Sequence, residues 1–396
     1  MATPTELRRS LWVIVAAATL TVMAGAILGP IVPQIQSELG VSGTAAGLII
    51  TTHGGVIVLA SPFVGSLVDR IGPRRPFIGG LFVYGLGGGA GLFVDSYLPL
   101  LASRVVLGLG TAAVYTSVTV LIYQLYEGQQ MERALGFRSS ANSAGAAVWP
   151  LIGGAAGTLA WNVPFGVYLV ALPLGLFAAL TVPEVRRSVT ETDGSGAKGE
   201  HSDSSAGVLT VLREQTVLPL VYLLYFGTNV LLYAIVVYYP QFLGGVGVTS
   251  SLGISLYLGA NGAAGGASAI AYDRLIKRAE RSTLVLGAFV LWTVGLLSTL
   301  AVETALAAAV PVVLFGLGVG LVFPSSFAWV EEFAPADRQG QFSSYLASFG
   351  YTGQFLSPIL FGVVIPFGGV GGVFVVAGAI TAASGFALGI RRLRPA

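Results

Sequence analysis

Apolar runs of about 20 residues or more recur along the whole chain, each cut short by a few polar or charged residues. No other property narrows its fold so far, because about 20 apolar residues is what a helix needs to cross a bilayer. Reading the runs gives spans near 11–33, 44–68, 76–94, 97–123, 137–160 and 163–182, then 216–243, 249–272, 282–301, 304–330, 340–365 and 369–390. The expected fold class is therefore an all-α polytopic membrane protein with twelve transmembrane helices. Composition excludes the soluble alternative: of 396 residues, 54% are hydrophobic and only 10% charged, with a mean hydropathy of +0.82. A net charge of +2 gives no reason to expect a nucleic-acid partner.

Twelve spans put both termini on one side, and the basic residues test that arrangement. Nineteen of the 20 Lys and Arg, Arg133 and Arg138 among them, fall in the segments assigned to the cytoplasm, the exception being Arg104. The positive-inside rule demands such a partition. The run after Arg8 and Arg9 is too long for a cleavable signal peptide, so it is expected to stay as the first span of a cell-membrane protein. Cys is absent and His occurs twice, which removes thiolate metal sites and cysteine nucleophiles. Neither a metal nor a cofactor is expected, and no paired buried carboxylates suggest an enzyme.

Residues 184–214 are rich in Gly, Ser, Thr and charge and hold His201, which is read as solvated. They read as a cytoplasmic linker between an N-terminal bundle (1–183) and a C-terminal bundle (215–396) of six helices each. Landmarks repeat between these halves. Asp69-Arg70 matches Asp273-Arg274 at an offset of 204, Arg133 matches Arg338 at 205, and Pro150 matches Pro358 at 208. Gly108-Leu109-Gly110 matches Gly316-Leu317-Gly318, again at 208. A duplicated six-span unit with pseudo-symmetric halves follows.

Between the second and third spans lies Gly65-Ser-Leu-Val-Asp69-Arg70-Ile-Gly72-Pro73-Arg74-Arg75. Gly65 is small enough for close helix approach, Gly72 and Pro73 suit a tight reversal, and the arginines hold the loop at the membrane surface. This pattern resembles the signature loop between helices two and three of the major facilitator superfamily, a large group of secondary transporters. The resemblance covers the chain outside the linker. It implies two six-helix halves working by alternating access, with Gly65, Asp69, Arg70, Gly72, Arg74 and Arg75 as conformational gating residues.

Arg104 lies seven residues into the fourth span, and an intramembrane cation is a functional candidate by default. Leu101-Ala-Ser-Arg104-Val-Val-Leu-Gly108-Leu-Gly110 resembles the family's fourth-helix motif, which implies a part in proton coupling. Helical spacing places Arg104 on a face with Gly108, Thr111 and Tyr115, favouring a cavity-facing side chain; snorkelling outward to Asp95 or Glu38 is the alternative. In the fifth span, Gly145, Pro150, Gly153 and Gly154 resemble the signature of drug/proton antiporters, with Trp149 where Gly usually precedes the proline. Gly108, Gly145, Gly153 and Gly154 are expected to let helices pack closely, and Pro150 and Pro358 to bend theirs.

Tyr225, Asn229 and Tyr233 recur at intervals of four in the seventh span and so share a helix face. With Tyr115, Asn142, Trp149, Asn261 and Gln354, they are candidates to line a cavity for a small molecule of mixed polarity. His53 is a candidate proton carrier beside Asp69 and Arg104, or a satisfied hydrogen-bonder. No Asp or Glu lies near the middle of any span, so proton coupling is implied by the resemblance alone. The expected function is secondary active export of small amphipathic molecules, coupled to proton antiport, by a chain able to act as a monomer. Import of a sugar, organic acid or other metabolite is the rival reading, and a transport-dead membrane sensor a rival of another class.

Overall fold

A computed structural model describes residues 4–184, 210–335 and 338–393. His201 and most of the 184–214 linker lie outside the described residues. The rest forms twelve long helical segments in two six-helix bundles. The first segment is Leu7–Leu39, continuous in direction but interrupted by a 3-10 turn at Gly29–Ile31, where Pro30 and Pro33 cannot donate backbone hydrogen bonds. Then come Gly43–Ile71, Arg74–Gly89, Tyr97–Leu125, Gly128–Gly157 and Val163–Thr181. The second bundle holds Val217–Gly245, Ser251–Leu275, Arg281–Ala301, Ala309–Phe333, Gln339–Gly362 and Ile365–Leu393.

Eight segments are long and apolar enough to cross a membrane by length and composition alone. The third, fifth, eighth and eleventh fall outside that group because Gly, Ser, Asn and Arg dilute them, and small residues are what close membrane-helix contacts use. Observed and expected spans coincide within a few residues except at the fifth, which begins at Gly128 rather than 137. Pro150 stays inside that helix without ending it.

The duplication is geometric as well as textual. Ser42 caps the second helix by accepting from the Ala45 N–H at 3.2 Å, and Ser250, 208 positions later, caps the eighth through the Gly253 N–H at 3.1 Å. A Cβ on Gly108 would lie 3.0 Å from the His53 carbonyl oxygen, and one on Gly316 would press on the Asn261 carbonyl. Both pairs again differ by 208.

The same shift relates two seams between the bundles. Gly154 of the fifth helix packs on Ser251 and Ser255 of the eighth, while Gly362 of the eleventh packs on Thr44 of the second. A Cβ on Gly262 would lie 2.5 Å from the Ala146 carbonyl oxygen, and one on its counterpart Gly54 would lie 3.2 Å from that of Tyr351. Because these glycines leave carbonyls and small side chains face to face, the seams have flat surfaces able to part without unthreading large knobs.

The seams lie toward the end of the molecule remote from the arginine-rich loops. Hydrogen bonds from Ser251 Oγ to the Gly154 carbonyl (2.9 Å) and between Thr44 and Tyr238 (3.5 Å) reinforce them there, and Tyr238 also donates to the Pro358 carbonyl at 2.7 Å. Toward the arginine-rich end, a Cβ on Gly65, Gly136, Gly266 or Gly340 would meet nothing within 4 Å. The bundles are closed at one end and parted at the other.

Candidate transport cavity

The space between the parted bundles is lined by half-buried aromatic and polar side chains. Tyr115 of the fourth helix meets Tyr351 of the eleventh edge-on, ring centroids 5.7 Å apart, which ties the two bundles at mid-depth. Tyr225 of the seventh helix stands beside Gly350 and packs on Phe323 and Phe327 at 5.1 and 5.8 Å. Asn229, one turn on, donates to the Tyr225 carbonyl and accepts from Gln354 Nε2 at 3.1 Å. Buried Gln354 Oε1 and Asn142 Oδ1 have no hydrogen-bond partner, so both sites keep unmet polar capacity. Trp149 donates to the Thr19 carbonyl at 3.1 Å. Gly145 makes room for that indole, since its Cβ would lie 3.1 Å from Trp149 Nε1.

Three expected positions are corrected. Arg104 neither faces the cavity nor reaches Asp95 or Glu38. It is fully buried inside the first bundle, donating to the Gly87 and Gly88 carbonyls at 3.1 and 2.8 Å and to Ser103 Oγ, with its Cζ 4.9 Å from the Phe165 ring and 5.2 Å from that of Tyr168. The third helix is so rich in glycine that its carbonyls come within reach, and aromatic faces complete the cage; Nη1 keeps no hydrogen-bond partner. Asn261 is also turned away from the cavity, buried and donating to the Val312 carbonyl at 2.8 Å, where it clasps the eighth helix to the tenth. Gly65 packs against nothing, because it lies on the parted side of the second helix.

The remaining candidates lie in the arginine-rich loop or among the buried helix contacts. Gly72 has φ +80 and ψ 162, a conformation open essentially only to glycine. Arg74 donates to the Val182 and Ala179 carbonyls at 2.7 and 2.6 Å, capping the C-terminal end of the sixth helix, and Arg75 lies 3.5 Å from Glu184. Asp69 and Arg70 are exposed around a cavity of about 370 Å³ beside that loop. Gly153 sits on the Ile27 carbonyl of the first helix. His53 is buried with Nδ1 2.7 Å from the Ile50 carbonyl. Tyr233 of the other bundle approaches the same glycine: a Cβ on Gly25 would lie 2.5 Å from the Tyr233 hydroxyl and 3.0 Å from His53 Cε1.

Sequence reasoning missed Arg138. It counted among the cytoplasmic basic residues, yet the early start of the fifth helix puts it ten residues from Gly128, about 15 Å along the axis. Its Nη1 donates to Thr119 Oγ1 at 2.9 Å and its Cζ lies 5.4 Å from the Tyr115 ring. The signal was available: no Asp or Glu lies anywhere in 134–183 to fix a membrane edge near residue 137.

Two bundles related by an internal repeat, with a shared cavity between them, are the architecture of a transporter family whose sequence model matches residues 14–358. The chain belongs to the Major Facilitator Superfamily. It is a multi-pass membrane protein of a transporter family, and not an enzyme. It is 30% identical to the bacillibactin exporter of Bacillus subtilis (strain 168) over 150 residues, 36% of this chain and 37% of that protein. With multidrug resistance protein 1 of the same organism it shares 30% over 173 residues, 43% of this chain and 44% of that protein. These matches thus span less than half the length of either relative. A hexuronate transporter of that organism is 24% identical over 382 residues, 92% of this chain and 89% of that protein. Among solved structures, the crystal structure of the nucleoside transporter NupG superposes with a TM-score of 0.79, covering 96% of this chain and 98% of that one at 11% identity, which shows a shared fold.

Proposed function

We propose that this facilitator exports small amphipathic molecules across the cell membrane by alternating access, coupled to proton antiport. The arginine-rich end is the cytoplasmic one, so both termini are cytoplasmic and the cavity described above opens inward. Residues 1–183 and 215–396 are the moving halves, 184–214 is the cytoplasmic linker, and a monomer suffices because one chain carries both halves. The observation carrying the reading is the pair of glycine seams at Gly154–Ser255 and Gly362–Thr44, closed at one end while the other end stands open. The similarity to a bacillibactin exporter and a multidrug resistance protein supports the outward direction.

In this mechanism the Asp69 and Arg74 loop latches the cytoplasmic side only after the cavity has turned outward. Arg74 is meanwhile held on the sixth helix. Asp69, Arg104 and His53 remain the candidates for proton coupling, His53 by its place beside Tyr233 at the junction of the halves. Import is the second reading, favoured by the hexuronate transporter that matches nearly the whole chain.

Inverted vesicles separate the two. Accumulation driven by an inside-acid gradient is expected for export; uptake confined to right-side-out vesicles supports import instead. Binding with no counterflow in liposomes would leave only a sensor.

A further inference from the structure

Arg138 bears on the charge balance of the cavity, with a side-chain hydrogen bond to Thr119 and the Tyr115 ring beside it. The ion pairs Arg75–Glu184 and Arg281–Glu332 do not involve it. No carboxylate is available at that depth. The fourth, seventh and eleventh helices, Tyr97–Leu125, Val217–Gly245 and Gln339–Gly362, contain no Asp or Glu, and Glu132 of the fifth lies at its exposed end. Asp69, Asp273, Glu331 and Glu332 all stand at the arginine-rich ends of their helices.

Arg138 is half-buried in the structure; a guanidinium without a counter-charge becomes costly once it is enclosed, and water alone offsets that cost only while the cavity is open. When the halves close around cargo, the charge needs a partner that travels with it. We propose that the cargo supplies this partner: the cavity selects amphipathic organic anions, whose carboxylate or comparable oxyanion binds Arg138 through its fork of N–H donors.

The surroundings specify the rest of such a molecule. Tyr115, Tyr351 and Tyr225 give a wall of rings for a flat or apolar body. Asn142, one helical turn beyond Arg138, and Gln354 across the cavity each hold a buried amide oxygen without a partner, which suits a hydroxyl or N–H donor on the cargo. Lipophilic cations meet a like charge and no carboxylate here.

This inference rests on the transporter reading for its biology, but its test does not. Three probes of one shape are titrated against the purified protein by intrinsic tryptophan quenching: 2-naphthoate, 2-naphthylmethanol and 2-naphthylmethylammonium. Naphthoate is expected to bind at least about tenfold more tightly than the other two, as a charge-assisted bidentate contact implies. Arg138→Gln should erase that preference, and Arg138→Lys should keep its order while weakening it; melting temperatures near the parent's confirm that both fold. Equal or tighter binding of the ammonium or the alcohol overturns the proposal, as does a preference surviving in Arg138→Gln or a failure of naphthoate to bind. Counterflow of the same probes in liposomes keeps the two readings apart. Naphthoate bound but not moved sinks transport and spares the anion site; ammonium moved and naphthoate excluded does the reverse.

Discussion

At the residue scale, Arg104 and Arg138 have opposite settings. Arg104 is satisfied by backbone carbonyls and ring faces within one bundle, whereas Arg138 is half-buried, with Thr119 and the Tyr115 ring of the neighbouring helix beside it. Arg104 was legible in the sequence as the one cation deep in an apolar run. Its direction was not, because helical spacing gives a face but not which neighbour that face meets. The geometry implies that shape matters at Arg104 as much as charge: an ammonium cannot reach the Gly87 and Gly88 carbonyls and Ser103 together. Arg104→Ala and Arg104→Lys should therefore both lower counterflow, by about tenfold if one charge-assisted contact of roughly 1.5 kcal/mol is lost in the transport cycle. Asp69→Ala should lower it too, with the protein still monodisperse on size exclusion. Parental rates in all three would remove these residues from the coupling scheme.

At the element scale, the fifth helix carries most of the functional weight. One face carries Arg138 and Asn142 one turn apart, while Gly153 and Gly154 dock it on the first and eighth helices. Its Gly and Pro spacing announced a packing surface, yet only the contacts with Ser251 and Ser255 identify the partner as the opposite half. Gly154→Val would drive a branched side chain into those serines, and overpacking of this kind typically costs about 1–3 kcal/mol. The closed end should loosen. With no native Cys in the chain, Gln36→Cys beside the closed seam gives a clean reporter, lying in a pocket with Ser42, Thr44 and Gln241. An impermeant maleimide is expected to label it faster in the Gly154→Val background; unchanged labelling would mean that the seam is not a gate.

At the scale of the whole molecule, tags on the two termini should report the same compartment, and opposite compartments would break the twelve-span count. The sequence by itself determined that count, the duplication and the crowding of basic residues toward one end, because each depends on properties that are local or periodic along the chain: apolar length, repeated landmarks, charge near a membrane surface. Which end is closed, that Asn261 and Arg104 turn inward within their own bundles, and that Arg138 meets Thr119 and Tyr115 are matters of packing alone. Those facts depend on which glycine meets which carbonyl across two helices far apart in the chain. The fifth helix begins nine residues before the apolar run near residue 137, and nothing in the apolar pattern there announces the extra turns that lead up to Arg138. Packing fixes it, since Thr119 and Tyr115 of the neighbouring helix hold the guanidinium where they stand.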